Sequence, residues 1–221
     1  MFTKTKGFKV FIGFFAVIIG IFVFFPLLWM INTALKPSEA TFDLTLFVKN
    51  FTTSNFKNVV LDKDILTYLK NSLLVSFVSS FAGTLVSLFA AFSFSKFKYR
   101  GRNTLMALVM MAQAFPQAIL LLTLYIMMQK LGLDGSYWAL ILSYIAFILP
   151  VGTWTLKAYF DQLPDALIES AKIDGAGMLT IFGKIIFPLS KPIVATVGVF
   201  SMVGQWNQWQ DNYFLVSDGK L

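Results

Sequence analysis

The residues of this chain best placed to do chemistry lie in one polar segment, Glu169-Ser170-Ala171-Lys172-Ile173-Asp174-Gly175-Ala176-Gly177, set between two long apolar stretches. Upstream of it and into it, Asp161, Asp165 and Glu169 recur at i, i+4 and i+8, the spacing of one helical face. Beside them Leu163, Ala166, Leu167, Ser170 and Ala171 form a small-to-apolar stripe at helical spacing. Pro164 suits the first turn of that helix, where its missing N–H costs nothing. Gly175 can take a positive φ and end it. Asp174 can cap a second short helix by accepting a backbone N–H, and that helix would carry Leu179, Phe182, Ile185 and Ile186 on its apolar side. The chemistry is recognition. The chain has no histidine and no cysteine, which excludes disulfides, Cys/His metal sites and Ser-His-Asp or Cys-His catalysis. A helix resting on lipid headgroups would show a basic polar face. This one shows an acidic face, which anionic lipid repels, so a groove on a protein partner suits it better.

The elements that hold this segment are read from composition. Of 221 residues, 57% are hydrophobic and only 13% charged, with a mean hydropathy of +0.72; soluble domains carry about twice that charge. The net charge of +7 raises the question of nucleic acid. The basic residues border apolar runs instead, and no block mixes them with aromatics for base stacking, so membrane orientation is the better reading and no nucleic acid is expected. Five stretches lack charge and are long enough to cross a bilayer: Val10–Ile31, Asn71–Ser95, Asn103–Gln129, Gly135–Leu156 and Pro192–Gln210. The first, about 22 residues, is about 33 Å long as a helix. It is too long for a signal-peptide core and no small-residue cleavage site follows, so it reads as an uncleaved first span. Backbone in lipid must satisfy itself, so these are helices. The expectation is an all-α polytopic bundle with five spans at about 10–31, 71–95, 103–129, 135–156 and 188–210. A single membrane domain then covers 1–221, and a polar loop covers about 157–187.

Lys4, Lys6 and Lys9, then Lys96, Lys98, Arg100 and Arg102, then Lys157, Lys172, Lys184 and Lys191 fall on alternate connections. That pattern puts the N-terminus and the polar loop on the cytoplasmic side. The first outer loop, about Lys36–Lys70, mixes lysines with Glu39, Asp43, Asp62 and Asp64 and scatters Phe42, Phe47, Phe51, Phe56 and Tyr68; a small lid packed on its own aromatics and a surface for a partner are readings that can both hold. Pro26, Pro116, Pro150, Pro188 and Pro192 sit in or at the ends of spans as ordinary membrane prolines or as hinges. Gln113 and Gln117 flank Pro116, and polar groups at such depth face a bundle interior. With Gln205, Trp206 and Asn207 they are the candidates for a solute pathway, while Trp209 and Tyr213 suit an interfacial aromatic belt.

The segment Glu169-Ser170-Ala171, Asp174-Gly175-Ala176, Phe182, Ile185, Pro188-Leu189 and Pro192 resembles the EAA motif of ATP-binding cassette (ABC) importer permeases, at that family's spacing. "DQLPDALIESA", "LKPSEA", "KNSLLVS" and "QWN" resemble the carbohydrate-uptake branch, and the layout is similar to the smaller maltose/maltodextrin-type permease. The resemblance covers nearly the whole chain. It implies a bacterial cell-membrane subunit, not an enzyme itself, that translocates a sugar or oligosaccharide delivered by an extracellular or periplasmic binding protein. It implies that Glu169, Ser170, Ala171, Asp174, Gly175 and Ala176 couple to a cytoplasmic ATPase, with Ser170 where alanine is commoner. It implies a second permease, often a different chain, and two ATPase copies carrying ATP and Mg; this chain has no GxxxxGK[ST] loop and no cofactor is expected in it. The family layout has six spans, so either the sequence stops before a sixth or the bundle has five. Glycerol phosphate, polyols or amino acids are alternative solutes. A secondary transporter would need acids within its spans, and the five runs hold none. A non-transport scaffold has no reason to match the motif spacing.

Overall fold

The computed structural model describes residues 6–45, 50–61, 63–208 and 215. Its elements are helical: α1 (Lys6–Ala34), α2 (Ser54–Leu61), α3 (Lys63–Lys96), α4 (Arg102–Met111), α5 (Gln117–Lys130), α6 (Tyr137–Gln162), α7 (Ala166–Ile173), α8 (Met178–Ile181) and α9 (Phe187–Trp206). No strand occurs among the described residues. Four helical stretches are long and apolar enough to cross a membrane, and a fifth if α4 and α5 are counted as one span. The protein is a multi-pass membrane protein.

The chain divides into two compact units, Met1–Thr67 and Tyr68–Leu221. In the first, α1 buries none of its residues, as suits a helix apolar all round. The loop after it is tied to the end of α1. Asn55 Nδ2 donates to Ala34 O and Lys36 O, both at 2.9 Å, and buried Lys36 lies 5.2 Å from the Trp29 ring centre and donates to Asp43 O. Phe42, Phe51 and Phe56 are exposed, so a lid packed on its own aromatics is not what these residues build. Phe47 lies outside the described residues.

The second unit is built on α3, α6 and the helix ending in α9. Small and hydroxylic residues let these helices approach closely, as membrane helices do without a hydrophobic drive between them. Ser80 Oγ donates to Gly198 O at 2.6 Å. A Cβ on Gly152 would stand 2.8 Å from Ser87 Oγ, and one on Gly83 would stand 2.9 Å from Ile148 Cδ1. A core of Leu88, Phe92, Leu156, Phe160, Ile181 and Ile186 fills the end near the polar loop, and Val75, Leu140, Tyr144 and Met128 fill the other end.

Two expectations change. The span expected over 103–129 is not one helix. Pro116 has no N–H and pushes Phe115 into an extended conformation (ψ 135°), so the two halves meet at 104°. The second short helix after Gly175 is not a separate element either. α8, one wide π turn (Phe182–Ile186) and α9 run on as a single helical stretch from Met178 to Trp206. Phe187 N–H reaches back to Phe182 O across that turn. Pro188 directly follows that wide turn, and the local π adjustment lets the helix carry a residue with no N–H without breaking. The helix therefore begins about ten residues before the span expected at 188.

Candidate functional site

The polar segment forms a corner between α6 and α8. α6 ends at Gln162 because Leu163 precedes Pro164 and is driven to an extended conformation (ψ 127°). α7 then runs over Ala166–Ile173. It ends in a Schellman motif: Gly175 takes φ 80°, its N–H donates to Lys172 O at 3.0 Å, and Ala176 N–H donates to Ala171 O at 2.9 Å. Gly177, with no side-chain cap, opens α8. Asp174 therefore closes α7 and does not cap the next helix. The turn is made by backbone bonds that need a left-handed residue, and glycine supplies it.

The buried face of α7 is Ile168 and Ala171, 6% and 8% exposed, in one core cluster with Phe160 and Ile181. Of the stripe read from the sequence, Ala171 is buried and Leu163 packs against the same core, whereas Ala166, Leu167 and Ser170 are exposed and Ile168 takes their place. Glu169, Ser170, Asp174 and Gly175 point outward, Ala176 is half-buried, and Ile173 and Leu179 flank them at 86% exposed each. The outward surface is thus a small apolar and acidic tip on a helix held rigidly from behind.

The acidic row does not survive as a row. Asp161 belongs to α6, where it accepts from Ser95 Oγ at 2.7 Å and Lys157 Nζ at 2.6 Å. Asp165 pairs with Lys96 Nζ at 2.8 Å, and the same Nζ donates to Leu163 O at 2.8 Å. The Lys96 hydrogen bond, and then its charge, hold the Asp165 carboxyl below the ordinary carboxylate range. Of the three acids only Glu169 has no ion pair among the described residues. These bonds place the α3–α4 connection and the corner at one end of the bundle. Phe182 strengthens the same joint, its ring centre 4.8 Å from Phe92 and 5.3 Å from Phe89 of α3.

At the other end of α3, α6 and α9 lies a cavity of about 210 Å³ lined by Tyr68, Asn71, Ser76, Tyr137, Tyr144, Gln205 and Trp206, among others. Of the pathway candidates, Gln205 and Trp206 are brought to it. Asn207 ends α9 and turns its amide back to Val203 O at 2.8 Å. Gln113 sits in the turn before Pro116 with Nε2 3.4 Å from Phe147 O, and Gln117 opens α5; neither lines the cavity. Trp209 and Tyr213 lie outside the described residues. Sequence reasoning missed Lys96 as the clamp of the corner and Asn71, Tyr137 and Tyr144 as cavity walls. The usable signal was Ser72, Ser76, Ser79, Ser80, Gly83, Thr84 and Ser87, a small polar stripe at helical spacing that marks the inner face of α3.

Residues 83–209 match the family described as "binding-protein-dependent transport system inner membrane component". Over 188 residues the chain is 35% identical to the galactooligosaccharides transport system permease protein of Bacillus subtilis (strain 168), covering 84% of this chain and 66% of that one. Over 205 residues it is 30% identical to the trehalose/maltose transport system permease protein of Thermococcus litoralis, covering 92% of this chain and 74% of that one. The chain spans about two thirds of the length of the curated relatives it matches. In fold it is similar to a chain of a bacterial ABC transporter involved in the import of the acidic polysaccharide alginate. The TM-score is 0.77 and the identity 21%, over 94% of this chain and 75% of that one.

Proposed function

This chain belongs to the family of binding-protein-dependent transport system inner membrane components, and from that membership we propose that it is a permease subunit of an ATP-driven importer of sugars or oligosaccharides. Two relatives named for galactooligosaccharide and for trehalose/maltose transport support the carbohydrate reading. The observation that carries the coupling role is the corner. It is a short helix closed by a Schellman turn, held from behind, and it offers Glu169, Asp174, Ile173 and Leu179 outward.

In this reading the corner lies on the cytoplasmic side, with the N-terminus, because the basic connections collect there. It docks in a cleft of an ATPase subunit, where Ser170, Gly175 and Ala176 offer no bulk against the partner. Ala171 serves from behind, letting α7 sit close on its own bundle. ATP and Mg belong to two copies of that ATPase. When the ATPase pair closes, α7 moves with it as a rigid body. Lys96, Asp165 and the Phe182–Phe92 contact pass the displacement to α3, and the unbroken helix from Met178 passes it to α9. Alternating access follows as a shift between two packings driven by differential contacts. The outer loop with exposed Phe42, Phe51 and Phe56 is offered to a substrate-binding protein, and a second permease supplies the rest of the translocation path.

The test is co-expression with the neighbouring genes and purification through a tag on this chain. The ATPase is expected with the parent and lost with Glu169→Lys and Gly175→Pro. An intact parent that brings down no ATPase contradicts the reading.

A further inference from the structure

We propose that the cavity between the outer turns of α3, α6 and α9 holds one ring of a neutral saccharide, a proposal that rests on the importer reading above. Its volume of about 210 Å³ is below the ~300–1,000 Å³ of drug-sized pockets, which suits one ring and not a chain. Among the described residues that line it, none is charged. Its walls are rings and amides: Tyr68, Tyr137, Tyr144 and Trp206 offer flat apolar faces with polar edges, and Asn71 and Gln205 offer carbonyl and N–H groups. That is the chemistry of a pyranose, apolar on its faces and hydroxylated at its rim.

The hydrogen bonds within the cavity leave capacity for a guest. Tyr137 Oη donates to Asn71 Oδ1 at 2.9 Å, which fixes that amide and leaves its Nδ2 without a partner among the described residues. Ser76 Oγ is spent on Ser72 O at 2.6 Å, so it does not compete. Gln205 is only 9% exposed, and its side-chain amide has no hydrogen bond among the described residues. That amide lines the cavity and is open to a hydroxyl that enters. An ionised guest fits poorly. A uronate carboxylate would be desolvated here with no cation to face it among the described lining residues.

The test uses the whole transporter, with its partner permease, ATPases and binding protein, in proteoliposomes. A mixed pool of neutral gluco-, galacto-, manno- and xylo-oligosaccharides is offered beside oligogalacturonides, and mass spectrometry reads what is taken up. The parent is expected to take up a neutral oligosaccharide and exclude the charged ones. Gln205→Leu is expected to lower solute moved per ATP about tenfold while ATP hydrolysis stimulated by the loaded binding protein is retained; a merely structural defect lowers both. Uptake of the charged pool, or of none of the neutral pool, overturns the substrate class. An unchanged solute-to-ATP ratio in Gln205→Leu overturns the cavity. A parent with no ATP-dependent uptake and no stimulated hydrolysis defeats the importer reading itself, before any variant is made.

Discussion

Lys96 and Asp165, 69 positions apart, meet at 2.8 Å and clamp the start of the corner to the end of α3. The two partners are unequal. The Lys96 side chain is 4% exposed and also holds Leu163 O, whereas Asp165 is 71% exposed. Removing the lysine therefore frees a carbonyl and a carboxylate together, while removing the acid leaves the bond to Leu163. Lys96→Met is expected to cut the ATP hydrolysis stimulated by the binding protein several-fold with the complex still assembled, and Asp165→Asn to cut it by less than half. ATPase assays on both purified complexes check the order.

The same pair sets an acid limit. The Asp165 carboxyl is depressed, so its contribution is present above the unfolded value of about 4 and is lost as pH falls through the lower folded value. The difference in thermal midpoint between parent and Asp165→Asn should be small, flat from pH 5 to 8, and shrink as pH falls below about 4. A difference that grows below pH 4 contradicts the pairing.

Gly175 holds φ 80°, where an L-residue pays roughly 1–2 kcal/mol. Gly175→Ala is expected to destabilise the corner by about that much and Gly175→Asn by less, since asparagine tolerates the left-handed region. Nothing lies within 4 Å of an added Cβ there, so the cost is backbone strain and not a clash. Hydrogen exchange at Gly175 and Ala176, the two amides of the turn, reads it directly.

Gly83 faces Ile148, with Cδ1 at 2.9 Å and Cβ at 3.1 Å from where a Cβ would stand. Gly83→Ala is expected to cost about 1–3 kcal/mol through overpacking. Adding Ile148→Ala should recover part of that loss, because the two sites share one contact. Thermal unfolding in detergent across the four-member cycle measures the coupling.

Helix existence was legible in the sequence, because charge-free runs of bilayer length have few other uses. The corner was legible in part. Gly175 announced the stop of α7, but the pattern could not say that Leu163 would break the acidic row. The interruption at 163 comes from a pre-proline steric rule, whereas the row was read as if one helix ran through it. Likewise Asp161 and Asp165 looked like a free acidic face because their cations, Lys157 and Lys96, come from α6 and from a helix end far away in sequence. The break at Pro116 and the run-on at Pro188 show opposite outcomes for the same residue type. Pro116 breaks its span, and Pro188 falls where a helix turn absorbs it. Whether a proline bends a span depends on its place in the turn, and single-chain patterning does not record that place.

In the proposed coupling, the exposed tip around Gly175 is the surface that meets the ATPase. The chain has no cysteine, so Ile173→Cys or Leu179→Cys each gives one thiol at that tip. With a short bifunctional thiol reagent, both should link to the ATPase in the active complex, while Ile168→Cys, buried on the opposite face of α7, and Phe42→Cys in the outer loop should not. An active complex in which neither tip cysteine links to the ATPase, or in which Phe42→Cys links as well as they do, contradicts the claim.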